Sequence, residues 1–335
     1  MDFTEYIDLA AERLGGRVLA ANDEFFAPKE NLLKAAAPVW IEGKYTDVGK
    51  WMDGWETRRR RTPGYDWCIV KLGLPGIIRG VVVDTSYFKG NFPEHCELES
   101  CAVDGDPGLA QLEDHTTKWN TMLKKSPLAG DTRNPFPLTP SSRVTHLRFK
   151  IYPDGGVARL RVHGEAVPDW PALRRAGGEI DLAAVEHGGW VIISSDMFFG
   201  SRNNLILPGR STGMDDGWET RRRRGPGHDW CIVRLGAAGK VSRIEVDTSH
   251  FKGNFPESCS LEVCAAPRDL IDPGALDALP WKEILARTKL QADSMHIYEK
   301  ELLDARAVTH ARFHIYPDGG VARLRIFGTP AKMAT

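Results

Sequence analysis

Short runs in which apolar and polar residues alternate dominate the chain. THLRFKIY (from Thr145) alternates, turns through Pro-Asp-Gly-Gly and resumes as VARLRV. That is the period-two signature of half-buried strands joined by a tight turn, proline presetting φ and glycine accepting a positive one. RGVVVDTS (from Arg79) and SRIEVDTS (from Ser242) are β-branched runs that stop at turn formers. Many short strands with such punctuation predict antiparallel, jelly-roll-like β-sandwiches. One region in each half reads differently. Around Trp119–Leu123 and Trp281–Leu290, the apolar spacing of segments such as WKEILARTKL predicts a helical insertion.

The pattern occurs twice. DGWETRRRRTPGYDWCIVKL (from Asp53) and DGWETRRRRGPGHDWCIVRL (from Asp216) differ only at Thr62/Gly225, Tyr65/His228 and Lys71/Arg234. DTSYFKGNFPEHC (from Asp84) returns as DTSHFKGNFPESC (from Asp247), and VTHLRFKIYPDGGVARLRVHG (from Val144) as VTHARFHIYPDGGVARLRIFG (from Val308). Repetition of this kind means one structural unit used twice. The first copy is expected over residues 8–168 and the second over 181–330, joined by a Pro- and Gly-containing linker, PDWPALRRAGGEI. About ten extra residues around Ala35–Lys50 lengthen a loop of the first copy.

Composition narrows the class. A length of 335 residues suits two domains, each able to bury its own core. A net charge of -1 offers no bulk attraction to nucleic acid or to an anionic membrane, so neither is an expected partner. The acidic, polar-broken N-terminus lacks the features of a signal peptide, and the cytosol is the expected compartment. The cysteines recur as Cys68, Cys96, Cys101 and Cys231, Cys259, Cys264. Three per copy cannot all pair within it, which favours buried structural thiols.

Several side chains suit chemistry. In the arginine run, side chains of a strand alternate between faces, so Arg58 and Arg60, with Arg221 and Arg223 in the second copy, share one side. They suit a carboxylate held by a bidentate fork, and equally a solvated edge or an ion-pair set between domains. The DTS loop offers Asp84, Lys89, Asn91 and Glu94, matched by Asp247, Lys252, Asn254 and Glu257. For Asp84, capping the turn competes with a chemical role. His146 and His310 are matched between copies and followed by Arg148 and Arg312 on the same strand face. Each histidine fits proton transfer, or a strand histidine hydrogen-bonded at the surface. Asn134 stands opposite His296, a mismatch that two working sites should not carry in a needed group. His228, His250 and His310 converging on a metal is a weaker idea without local spacing to support it.

The doubled GWETRRRR, DTS-x-FKGNFPE and YPDGGVARLR blocks, in this order over nearly the whole chain, resemble the allantoicase family. The resemblance implies a mainly β fold of two tandem jelly-roll, galactose-binding-like domains. It also implies hydrolysis of allantoate to ureidoglycolate and urea in purine degradation, and a homo-oligomer. Such a reaction breaks a C–N bond at an aminal carbon. It needs an acid for departing urea, a base for water and a cation for the carboxylate. His146, His310, Glu94 and Glu257 are the candidate proton carriers. Arg58, Arg60, Lys89 and Arg148, with Arg221, Arg223, Lys252 and Arg312, are candidate carboxylate partners, and Asp84, Asn91, Asp247 and Asn254 candidate ureido partners. No cofactor is required, although a divalent metal ion polarising a ureido oxygen would serve in place of the acid. The competing readings are a non-catalytic ligand-binding sandwich and an enzyme acting on ureidoglycolate.

Overall fold

The computed structural model describes residues 2–140, 142–304 and 306–331. The chain forms two compact units that divide between Val167 and Pro168. Each unit is built around one sheet of eight strands. In the first, a long strand, Asp66–Asp84, organises the rest. Its opening stretch pairs with Arg17–Ala21 and Val144–Tyr152, and its closing stretch with Arg133–Pro137 and Arg159–Ala166. The change of partners occurs around Gly73 and Gly76. A Cβ at Gly73 would lie 2.6 Å from the Leu14 carbonyl carbon, and one at Gly76 only 2.3 Å from the Glu165 oxygen. Only glycine lets the chain pass so close and fold the sheet into two layers. His95–Cys101 and Asn120–Pro127 extend one layer, and Ile7–Asp8 closes the other by pairing with the last strand.

The second unit repeats this plan around Asp229–Asp247, with Ile180–Asp181 pairing with the last strand, Arg323–Pro330. The mainly β, tandem-sandwich architecture expected from the alternation is therefore present. Between the layers lie Trp55, Phe149, Leu98 and Cys68, and in the second unit Trp218, Phe313, Leu261 and Cys231, none more than 1% exposed.

The two expected helical insertions are strands, Asn120–Pro127 and Lys282–Lys289. Their pairing with His95–Cys101 and Ser258–Cys264 shifts register twice, so neighbours Ile284 and Leu285 are both buried. A bulge that turns two consecutive apolar residues inward breaks strict alternation and imitates a helical spacing. Short α-helices, Leu109–Glu113 and Pro273–Asp277, come just before them instead. The expected linker contains a helix too, Trp170–Ala176, capped by Asp169 and belonging to the second unit.

The arginine run is a loop, so its side chains do not alternate across a sheet. Arg58 Nε donates to Asp23 Oδ2 (2.6 Å) and Arg60 Nη2 to Asp66 Oδ1 (2.6 Å), while Arg221 and Arg223 hold Asp196 and Asp229 in the same way. These ion pairs lie within each unit. All six cysteines are buried and unpaired. Burial raises their thiols, to about 12 for Cys96 and Cys259. Among the described residues, no helix is long and apolar enough to cross a membrane.

Candidate active site

Both ends of the long strand lie at one end of the sandwich. Asp66 pairs with Ile151 and Asp84 with Arg159, on either side of the PDGG turn. The GWET segment, the DTS loop and PDGG therefore gather there. Asp84 Oδ1 accepts the Ser86 N–H (2.9 Å), and Thr85 Oγ1 donates to Ala129 O (2.7 Å). Tyr87 then takes a left-handed φ of 70°, and its N–H donates to Oδ1 of Asp131, itself at φ 51° (2.7 Å). His250 and Asp293 repeat the device at φ 73° and 49°. Such backbone strain persists only where surrounding bonds enforce it, and it gathers at functional sites. Phe88 is wholly buried against Gly156, where a Cβ would come within 1.9 Å of the ring. With Phe88 anchored, Lys89-Gly90-Asn91 projects outward.

Facing this loop is the two-residue strand Trp55–Glu56, paired with Gly156–Val157. Trp55 is buried and donates its Nε1–H to Asp23 O (2.8 Å), which sends the next side chain, Glu56, the opposite way. Glu56 accepts from Asn91 Nδ2 (2.7 Å) at the floor of a cavity of about 590 Å³. Lys89, Tyr87, Trp40 and Lys50 also line it. Burial raises the Glu56 carboxyl above its ordinary range, and the Asn91 bond opposes this only in part. The second unit repeats the pair, Asn254 Nδ2 donating to Glu219 Oε1 (2.5 Å) in a cavity of about 830 Å³.

The structure thus brings together Lys89 and Asn91, and in the second unit Asn254, Glu257 and Arg223. It adds Glu56 and Glu219, which sequence reasoning passed over, although a glutamate held beside the same tryptophan in both copies was a usable signal. Other candidates lie elsewhere. His146 pairs with Lys71, about 20 Å along its strand from Tyr152 at ~3.3 Å per residue. Its Nδ1 meets Thr145 Oγ1 (2.8 Å) and its Nε2 is buried without a hydrogen bond. Burial, then Lys71, pushes its pKa down to about 4 despite Asp106, while burial, Arg234 and Arg268 do the same for His310. Both stay neutral near pH 7, enclosed in their strands. Arg148 and Arg312 share the face of those histidines, but they are tied to Glu99 and Glu262 and lie over Trp119 and Trp281.

Asp84 and Asp247 cap their turns; Asp247 also borders a smaller cavity of about 260 Å³ with Arg210 and Arg325. Glu94 is exposed and does not line the first cavity, and Lys252 is exposed beside the second. The Asn134/His296 mismatch has a structural basis. Asn134 donates to Val83 O (3.1 Å) and accepts from Ala129 N–H (2.9 Å). His296 Nδ1 meets Val246 O (3.1 Å), and its Nε2 accepts from Gln291 N–H (2.9 Å). Both tie down the same loop, so the exchange removes no chemical group from either pocket. Among the described residues, no group of three or more His, Cys, Asp or Glu could hold a metal ion. His228 meets His314 (2.8 Å), His250 meets Ser211 O (3.0 Å) and His310 is buried, so the three do not converge.

Comparison with known proteins gives the repeat its name. The allantoicase repeat family model matches residues 7–167 and 180–331. The chain belongs to the allantoicase family. It is 48% identical to the Dictyostelium discoideum allantoicase, over 96% of this chain and 87% of that one. Identity to the protein named probable allantoicase 1 of Burkholderia mallei is 48%, over 98% and 96%. The crystal structure of Saccharomyces cerevisiae allantoicase superposes with a TM-score of 0.79 at 37% identity, covering 97% of this chain and 93% of that one. The allantoicase fold thus extends over both repeats.

Proposed function

We propose that this chain hydrolyses allantoate to ureidoglycolate and urea, and that the chemistry takes place at Glu56 and Asn91. The observation that carries the assignment is a half-buried glutamate, raised by burial and fixed by an asparagine amide, beside two lysines in a cavity. Allantoate carries a carboxylate and two ureido groups on one carbon. Lys89 and Lys50 hold the carboxylate, and Asn91 orients a ureido group. Glu56, in its protonated form, gives its proton to the departing urea nitrogen as the C–N bond breaks. The lone pair of the remaining ureido nitrogen closes a C=N bond. Water then adds to that carbon, its proton returning to the Glu56 carboxylate. On sequence grounds the same proposal includes a cytosolic setting and assembly into a homo-oligomer.

The test is urea release from allantoate by the purified protein, with and without a chelator, beside a folded Glu56→Gln variant. Proton transfer by a positioned side chain contributes about 10²–10⁴-fold, so the variant should lose at least about 100-fold. A variant with undiminished turnover would remove Glu56 from the reaction. No urea from wild-type protein, even supplemented with divalent metals, would discard the reaction itself. Activity lost to the chelator and restored by a metal would replace the carboxylic acid with a metal.

A further inference from the structure

The two cavities share the Glu–Asn floor but not their walls. Asn31 and Asn204 hold the carbonyls of Gly54 and Gly217, and Arg159 and Arg323 hold those of Ala36 and Gly209. These matched contacts confine the extra residues of the first unit to the stretch between Ala36 and Met52. That stretch contains the hairpin Tyr45–Thr46/Gly49–Lys50 and brings Trp40 and Lys50 to the cavity. Trp40 stacks on Tyr87 (6.2 Å between centroids), and Lys50 lies over the Trp40 ring, 4.1 Å from its centroid. Lys50 forms no ion pair among the described residues, so its charge is available to an anion. The second unit has no such stretch. Its cavity is wider and runs past Glu219 and Asn254 to Arg222, Lys289 and the Pro317–Gly319 turn.

We infer that turnover is confined to the cavity of the first unit, because only there does the inserted stretch wall the Glu–Asn floor and supply a cation to a small carboxylate. Trp40 and Lys50 cover one side of the cleft over Glu56, and a cation placed beside a partly buried carboxyl acts at lower effective dielectric than in bulk water. The wider cavity has the same floor, with Arg222, Arg223 and Lys289 as its cations, but no inserted aromatic–lysine wall. The inference rests on the proposed reaction. It makes Trp40 and Lys50 the residues that select a small ureido acid.

Glu56→Gln and Glu219→Gln should be compared separately and together for steady-state urea release. Glutamine keeps a carbonyl to accept the asparagine N–H, so each floor retains its hydrogen bond, and circular dichroism checks the fold. The expected result is a loss of at least about 100-fold in Glu56→Gln, with Glu219→Gln near wild type. Losses of about half in each single variant, completed in the double, would overturn the division while leaving the reaction in place, and so would a loss confined to Glu219→Gln. Full activity in the double variant would reject the pockets altogether. Lys50→Met reads the wall itself. Losing a charged partner costs about 1.5–3 kcal/mol, a rise of roughly 10–150-fold in KM with kcat little changed. An unchanged KM in Lys50→Met would overturn the role given to the inserted stretch.

Discussion

Replacing Arg159 with methionine should destabilise the first domain severely. The guanidinium is 1% exposed and joins three segments of chain. Nη2 donates to Asp53 Oδ2 (2.7 Å), Nη1 to the Asp53 and Ala158 carbonyls (2.9 and 2.7 Å), and Nε to Ala36 O (3.0 Å). Burial alone would raise the Asp53 carboxyl, yet the bonds from Arg159 and Val39 bring it below its ordinary range. Methionine fills much of the space of the arginine stem but leaves that carboxylate and three carbonyls without their donor. Breaking a buried pair by removing one partner costs about 3–5 kcal/mol. Lys34, 3.6 Å from Asp53 Oδ1, and the Val39 N–H remain, which points to the lower end, about 3 kcal/mol. The measurement is guanidinium unfolding followed by tryptophan fluorescence, with Arg323→Met as the matching change in the second domain. The double variant Asp53→Leu/Arg159→Met should regain most of the loss, since apolar pairs often replace buried ion pairs without penalty. A loss below about 1 kcal/mol, or a double variant no better than the single, would refute this account of the anchor.

Gly156→Ala should push Phe88 off its seat and cost about 1–3 kcal/mol in the same unfolding assay, with a drop in urea release because Lys89 and Asn91 ride on that loop; unchanged stability would count against the anchoring. His146 and His310 make stability sensitive to acid. Folded, they resist protonation down to about pH 4, whereas unfolded they take up protons near pH 6.5. Stability should therefore fall as pH drops from about 6.5 towards 4, by ~1.4 kcal/mol per pH unit for each histidine, and be unaffected by them above that window. His146→Gln should show a shallower slope between pH 6 and 4.5, and an identical slope would show that His146 is protonated in the fold.

Much of the architecture could be read directly from the residues, because duplication printed each structural signal twice. The alternation in THLRFKIY and the β-branched VVVD run describe the strands as they stand. The reading failed at the paired apolar residues Ile284 and Leu285, since a bulge depends on the register of a partner strand distant in sequence. It failed at the arginine run because Asp23 and Asp66 draw the chain into a loop, and only the fold places those carboxylates there. The site was half visible. Lys89 and Asn91 stood out as polar residues in a repeated loop, but Glu56, next to the buried Trp55, was passed over. His146 attracted attention by its chemistry, while its enclosure comes from strands on both sides.

In each repeat the first strand lies beside the last, Ile7 opposite Gly164 and Ile180 opposite Gly328. Each domain therefore begins and ends at one place on its own surface. A gene segment encoding such a unit can be copied head to tail without threading one copy through the other, and the join can be short. The same closure means that the order of segments along the chain is incidental to the fold. Ligating those neighbouring ends and opening the chain at the exposed Asp47 turn would give a permuted domain with the same strand neighbours.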